Sequence, residues 1–94
     1  MFNQPFRSSD LYLTVLARKN KLTHARLGLA VAKKNAKRAV DRNRIKRIIR
    51  ESFRLQIPQL GNWDIVVLAR KQTVEASSGL LRSSLDKHWN KLKT

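Results

Sequence analysis

From Leu11 to Arg18 the chain reads LYLTVLAR, aromatic and β-branched positions in a short run, which predicts a strand. A polar connection, KNKLTH, leads to RLGLAVA, Arg26 to Ala32, where Leu27, Leu29 and Val31 alternate toward one face of a second strand. Two strands joined this closely suggest an antiparallel hairpin. The period then changes: Ile45, Ile48, Ile49 and Phe53 recur at helical spacing. Pro58 is expected to stop that helix, because the residue before a proline is pushed out of the α region. After the turn QLGN comes WDIVVLAR, Trp63 to Arg70, whose unbroken Ile65-Val66-Val67-Leu68-Ala69 core predicts a central strand covered on both faces. Ser77 or Ser78 can cap a last helix with the apolar stripe Leu81, Leu85, Trp89 and Leu92. Residues 1–10, with Pro5 and Ser8-Ser9-Asp10, read as irregular. The order β-β-α-β-α predicts an α+β fold, a small two-layer sandwich of helices on a sheet, forming one domain over residues 1–94.

Charge changes this picture from a generic small domain to a polyanion binder. Lys and Arg number 21 against 6 Asp and Glu, a net charge of +15, which repels itself in the compact state and favours polyanionic partners. Membrane is the weaker choice of polyanion. No apolar run approaches the roughly 18–20 residues of a bilayer span, and MFNQPFRSSD lacks the apolar stretch of a signal peptide. Cysteine is absent, which excludes disulfides and thiolate metal sites. The expectation is a cytoplasmic nucleic-acid binder.

The charge has a direction. With Ile45 at zero and about 100° per residue, Ile48, Ile49, Ser52 and Phe53 fall within about 80° of it, whereas Asn43, Lys46, Arg47, Arg50 and Arg54 gather between about 100° and 200°. The apolar stripe thus holds a positive face outward. A solvated helix face normally alternates signs; here Glu51 is outnumbered. Arg42 and Arg44 lie about 200° apart, on opposite flanks, with Asn43 between them. Upstream, Lys33, Lys34, Asn35, Lys37 and Arg38 at the end of the second strand suit phosphates. Arg70 and Lys71 repeat the theme after the third strand.

Catalytic chemistry finds no foothold. His24 and His88 fall on different elements, and the carboxylates Asp10, Asp41, Glu51, Asp64, Glu75 and Asp86 stand singly, without metal-ligand or acid-base spacing. Phe53, Trp63 and Trp89 read as core. Phe2, Phe6 and Tyr12 read as edge packing, with a stacking platform for unpaired bases as the functional alternative. A helix-turn-helix DNA binder is disfavoured, because strands flank the basic helix.

The block AVDRNRIKRIIRESFR, Ala39 to Arg54, preceded by RLGLAVAKKN and followed by WDIVVLARK, resembles the protein subunit of bacterial ribonuclease P. The likeness runs from about Leu11 to Leu92, and three blocks in order make it specific. It implies a left-handed βαβ crossover around the basic helix, where the general rule gives a right-handed one. It also implies an accessory subunit of an endoribonuclease, in which a catalytic RNA removes the 5′ leader of precursor tRNA using Mg²⁺ bound mainly by that RNA. No catalytic or metal-binding residue is then expected in the protein. The partners would be that RNA and precursor tRNA, and the free protein would be monomeric. On this resemblance Lys33, Lys34, Asn35, Lys37, Arg38, Arg42, Asn43, Arg44, Lys46, Arg47, Arg50 and Arg54 bind the RNA, and Tyr12, Arg70 and Lys71 are leader-cleft candidates in a cleft over the sheet. Two features depart from the family. Its initial helix is largely missing, only the trailing end surviving in MFNQPFR, and Ala36 replaces a larger aliphatic, which predicts looser packing at the helix entrance. The alternative reading is a small basic ribosomal or ribosome-assembly protein.

Overall fold

The structure, a computed structural model, describes residues 6–93. Strand β1 (Phe6–Ser9) is followed by β2 (Leu13–Lys19), β3 (Arg26–Ala30), helix α1 (Ala39–Leu60), β4 (Trp63–Ala69), a 3₁₀ turn (Lys71–Thr73) and helix α2 (Ser78–Lys93). The strands form one sheet in the order β1-β2-β4-β3. The α+β sandwich is as expected, with one strand more than the sequence pattern showed.

That strand corrects the reading of residues 1–10 as irregular. Phe6–Ser9 pairs antiparallel with β2, from Phe6 opposite Ala17 to Ser9 opposite Thr14. Its sequence, FRSS, carries no apolar alternation because the inward residue, Ser8, is polar. The expected β2–β3 hairpin is also corrected. β4 lies between these strands, antiparallel to β2 and parallel to β3. The ends of the connecting segment explain why. Asn20 donates through Nδ2 to Asp64 Oδ1 at 2.9 Å, and Arg26 grips both oxygens of Asp64 at 2.8 and 2.7 Å. Both ends of the β2–β3 connection are therefore fastened to the start of β4. A connection of this length crosses the roughly 10 Å between strands two places apart without strain.

β4 is central as predicted, but only one of its faces is covered. Ile65, Val67 and Ala69 point with Leu13, Val15 and Ala17 into the core, where they meet Ile45, Ile48, Ile49 and Phe53 of α1 and Leu81, Leu85, Trp89 and Leu92 of α2. Val66, facing the other way, is 40% exposed. Both helical stripes read from the sequence are thus the buried ones. The helices lock together where Trp89 Nε1 donates to Ser52 Oγ at 2.8 Å and the Phe53 and Trp89 rings meet edge to face at 6.0 Å. Ser77 caps α2, its Oγ accepting the Leu80 N–H at 3.2 Å. Ala36 is 2% exposed, so the helix entrance is packed despite the small side chain.

α1 does not stop at Pro58 but runs two residues further. Leu60 supplies the reason: it is 3% exposed, anchored in the core. Burying a leucine gives about 1.5–3 kcal/mol, comparable with the roughly 3 kcal/mol cost of a proline in a helix interior. Gly61 then ends the helix at φ 79°, ψ −158°, a region essentially reserved for glycine. A Cβ there would meet nothing within 4 Å, so Gly61→Ala isolates backbone strain from packing. It is expected to cost about 1–3 kcal/mol, read as a fall in the denaturation midpoint with an unchanged m-value.

Candidate nucleic-acid interface

α1 presents its cations as the projection predicts, although they divide into two kinds. Arg47, Arg50 and Arg54 are exposed, as is Asn43, and Lys46 is half-buried. Arg42 and Arg44 do leave opposite flanks, and each is half-buried and tied to backbone. Arg42 Nη1 donates to the carbonyls of Ala36 and Lys37, both at 2.9 Å. Arg44 Nη2 donates to those of Val74 at 3.2 Å and Ala76 at 3.4 Å. The two arginines therefore shape the loops beside the helix start as well as charging it. Arg38 takes the N-cap position without a side-chain cap, its carbonyl accepting the N–H of Asp41 at 3.1 Å and of Arg42 at 3.2 Å. Lys37 and Arg38 stay exposed.

The segment before the helix turns sharply, Asn35 and Ala36 both donating to the Ala32 carbonyl. Asn35 then reaches sideways, Nδ2 to the Ala69 carbonyl at 3.1 Å. This bond carries Lys34 to the end of β4, beside Arg70 and Lys71. Together with Thr14, Leu68, Ala69 and Gln72 these residues line an open basin of about 480 Å³. Lys33 is exposed on the same loop. Two basic segments that the sequence shows separately are one surface in the fold. Tyr12, the third cleft candidate, is half-buried and packs against the core. Its carbonyl accepts from the Arg70 N–H at 2.9 Å and from the Thr73 hydroxyl, so it braces the basin wall from behind.

The uncovered sheet face adjoins the basin; the apolar run of β4 predicts cover on both faces, so its residues are not read from the pattern. By strand parity it carries Arg7 and Ser9 of β1, Thr14, Leu16 and Arg18 of β2, Asp64, Val66 and Leu68 of β4, and Arg26, Gly28 and Ala30 of β3. Its middle is apolar and both ends carry positive charge. At the end away from the basin, Asp64 is held ionised far below the usual carboxylate range, first by the Arg26 hydrogen bonds and then by Asn20. Arg26 spends part of its charge there, leaving Arg18 as the exposed cation beside it. The alternation of Arg26 and Gly28 with Leu27 and Leu29 was the available signal for this face. Phe6 and Trp63 turn to the other side, 6.4 Å apart, with Lys19 Nζ 4.5 Å from the Trp63 ring centre. Phe2 lies outside the described residues.

Surfaces of this kind suit a polyanion with unpaired bases: cations for phosphates, and a flat apolar sheet face for base planes. The profile of the Ribonuclease P family matches residues 1–93. A ribonuclease P protein component from Methylococcus capsulatus is 55% identical over 89 residues, covering 95% of this chain and 70% of that protein. Among solved structures, the Staphylococcus aureus RNase P protein superposes with a TM-score of 0.84 at 34% identity, covering 94% of this chain and 80% of that one. The RNase P protein from Thermotoga maritima, in complex with 1-(4-fluorophenyl)-2-thiourea, gives 0.79 at 35% identity, covering 96% of this chain and 85% of that one.

Proposed function

Because the chain belongs to the ribonuclease P protein family, we propose that it is the accessory subunit of a ribonucleoprotein endoribonuclease that removes the 5′ leader of precursor tRNA. In this reading α1 and the loop of residues 33–38 hold the catalytic RNA, and the leader crosses the uncovered sheet face from the basin at Arg70 and Lys71. The observation that supports it best is the Asn35–Ala69 hydrogen bond. It joins the helix entrance to the end of the sheet, so one positive surface serves the RNA on one side and the leader on the other. Cations there fix position, and the sheet face accepts bases without reading them closely. The protein works as a cytoplasmic monomer until it meets its RNA.

The protein's own residues do not fit a resident metal. Among the described residues no three His, Asp or Glu side chains gather as ligands, and Asp10, Glu51 and Asp64 already serve hydrogen bonds or ion pairs. In this reading Mg²⁺ is held mainly by the RNA. The test is a reconstitution of purified protein, ribonuclease P RNA and a precursor tRNA at low Mg²⁺. Leader release faster than with RNA alone, and none with protein alone, is the expected result. Absence of acceleration would return the chain to the class of general RNA-binding or ribosome-assembly proteins.

A further inference from the structure

Strand β1, the turn after it and helix α2 meet at a buried polar cluster outside the RNA-binding surface proposed above. Ser8 of β1 is 5% exposed and His88 of α2 is 2% exposed. Ser8 Oγ lies 2.6 Å from His88 Nδ1 and 3.1 Å from Lys91 Nζ. Across the ring, Asp10 Oδ2 lies 3.3 Å from Nε2 and accepts a hydrogen bond from the Ser84 hydroxyl. Asp10 Oδ1 accepts the backbone N–H of Tyr12 at 2.8 Å and of Leu13 at 2.9 Å.

Donor chemistry assigns the protons. An ammonium only donates, so Ser8 Oγ accepts from Lys91 and turns its own hydrogen to Nδ1. Nδ1 is then the acceptor, and the neutral ring carries its hydrogen on Nε2, toward Asp10. Nε2 is near that carboxylate but off the line of a hydrogen bond, and it has no other partner among the described residues. A second proton on Nδ1 would face an oxygen already bonded to Lys91, and the serine hydrogen would lose its acceptor. Asp10, in the turn, attracts that added charge; Lys91 and Lys87, on α2, repel it. Burial opposes the charge most, and with the two lysines it outweighs Asp10, placing the imidazole below its ordinary 6.5.

We propose that His88 is a proton-operated latch: neutral, it fastens β1 and the Asp10 turn to α2; protonated, it lets this edge of the sheet go. β1 is four residues long and among the described residues pairs only with β2, so a lost side-chain anchor matters there. Arg7 and Ser9 of this strand lie on the uncovered sheet face, and they move with it. The sign follows from the depressed value. The latch contributes fully above about pH 6.5, the unfolded value, and its contribution fades as pH falls toward the lower folded value. Asp10 does not confuse the window. Burial raises its pKa, but hydrogen bonds from Ser84, Leu13 and Tyr12 together with His88 lower it further, so it titrates below 3.8.

The latch concerns the fold itself and stands whether or not the RNA reading does. NMR on the full chain between pH 8 and pH 5 tests it, following the His88 ring nitrogens together with amide-exchange protection in Phe6–Ser9. At pH 8 the ring is expected as the Nε2–H tautomer. On acidification β1 protection should fall about tenfold for each unit by which the ring is depressed. His88→Gln, which hydrogen-bonds but takes up no proton, should abolish the step. Asp10→Asn, which removes the attracting charge, should move it to lower pH. A ring that protonates while β1 protection stays constant overturns the latch, as does the same acid step in His88→Gln.

Discussion

Replacing Arg47 and Arg50 together by alanine is expected to weaken binding of the catalytic RNA about 60-fold at 0.1 M salt while leaving the fold intact. Each phosphate neutralised on an RNA helix contributes about 0.9 to the slope of log affinity against log salt, taking a duplex-like value. Two lost contacts remove about 1.8 units per decade, and curves that meet near 1 M salt differ by about that factor at 0.1 M. Both side chains are exposed, on the flank of α1 away from Ile45, Ile48 and Ile49. Alanine is the best helix former, so α1 loses nothing by the change. Arg42 and Arg44 would be poor probes of the same idea. Their guanidinium groups hold the carbonyls of residues 36–37 and 74–76, and their removal would disturb loops along with charge. The measurement is a salt titration of RNA affinity for parent and double variant, with melting curves beside it. Parallel slopes would place the RNA on another surface.

What the sequence made legible follows from which interactions are local. The stripes of α1 and α2 were readable because helical periodicity records burial within one element, and every apolar residue of both stripes is buried. The uncovered face was not readable in β4, because Val66 and Leu68 are as apolar as Ile65 and Val67 and the run shows no alternation. Strand pairing failed for a different reason. What inserts β4 between β2 and β3 is the grip of Asn20 and Arg26 on Asp64, some forty positions downstream, and no pattern within the hairpin records it. β1 escaped notice because its buried residue is a serine whose partner, His88, lies 80 positions away. At the interface, the cations were visible as a set from charge alone. That the segments of Lys34 and of Arg70 and Lys71 could converge at one sheet edge was conceivable but not fixed, since the bond that gathers them runs from Asn35 to a backbone carbonyl, a group every residue carries.

Sulfate is expected to stabilise the isolated chain by about 1.4 kcal/mol at tenfold over its dissociation constant and about 2.7 kcal/mol at a hundredfold, beyond any effect of chloride at matched ionic strength. A net charge of +15 strains the native state through self-repulsion, and any salt relieves that by screening. Chloride therefore measures the general part. The specific part needs a place where several cations converge on one anion, and the basin at Lys34, Arg70 and Lys71 is such a place. Unfolding disperses these residues along the chain, so an anion they hold together favours the native state by mass action. For a domain of this size, each kcal/mol moves the melting temperature by about 4–8 °C, well within reach of a circular-dichroism melt. Lys34→Ala combined with Arg70→Ala separates the two parts. The backbone N–H of Arg70 still reaches the Tyr12 carbonyl in that variant, so the basin wall stays in place. It should keep the chloride response and lose the excess produced by sulfate. Equal stabilisation by both salts in the parent, or an undiminished sulfate response in the double variant, would mean that the basin binds no anion and that screening alone relieves the charge.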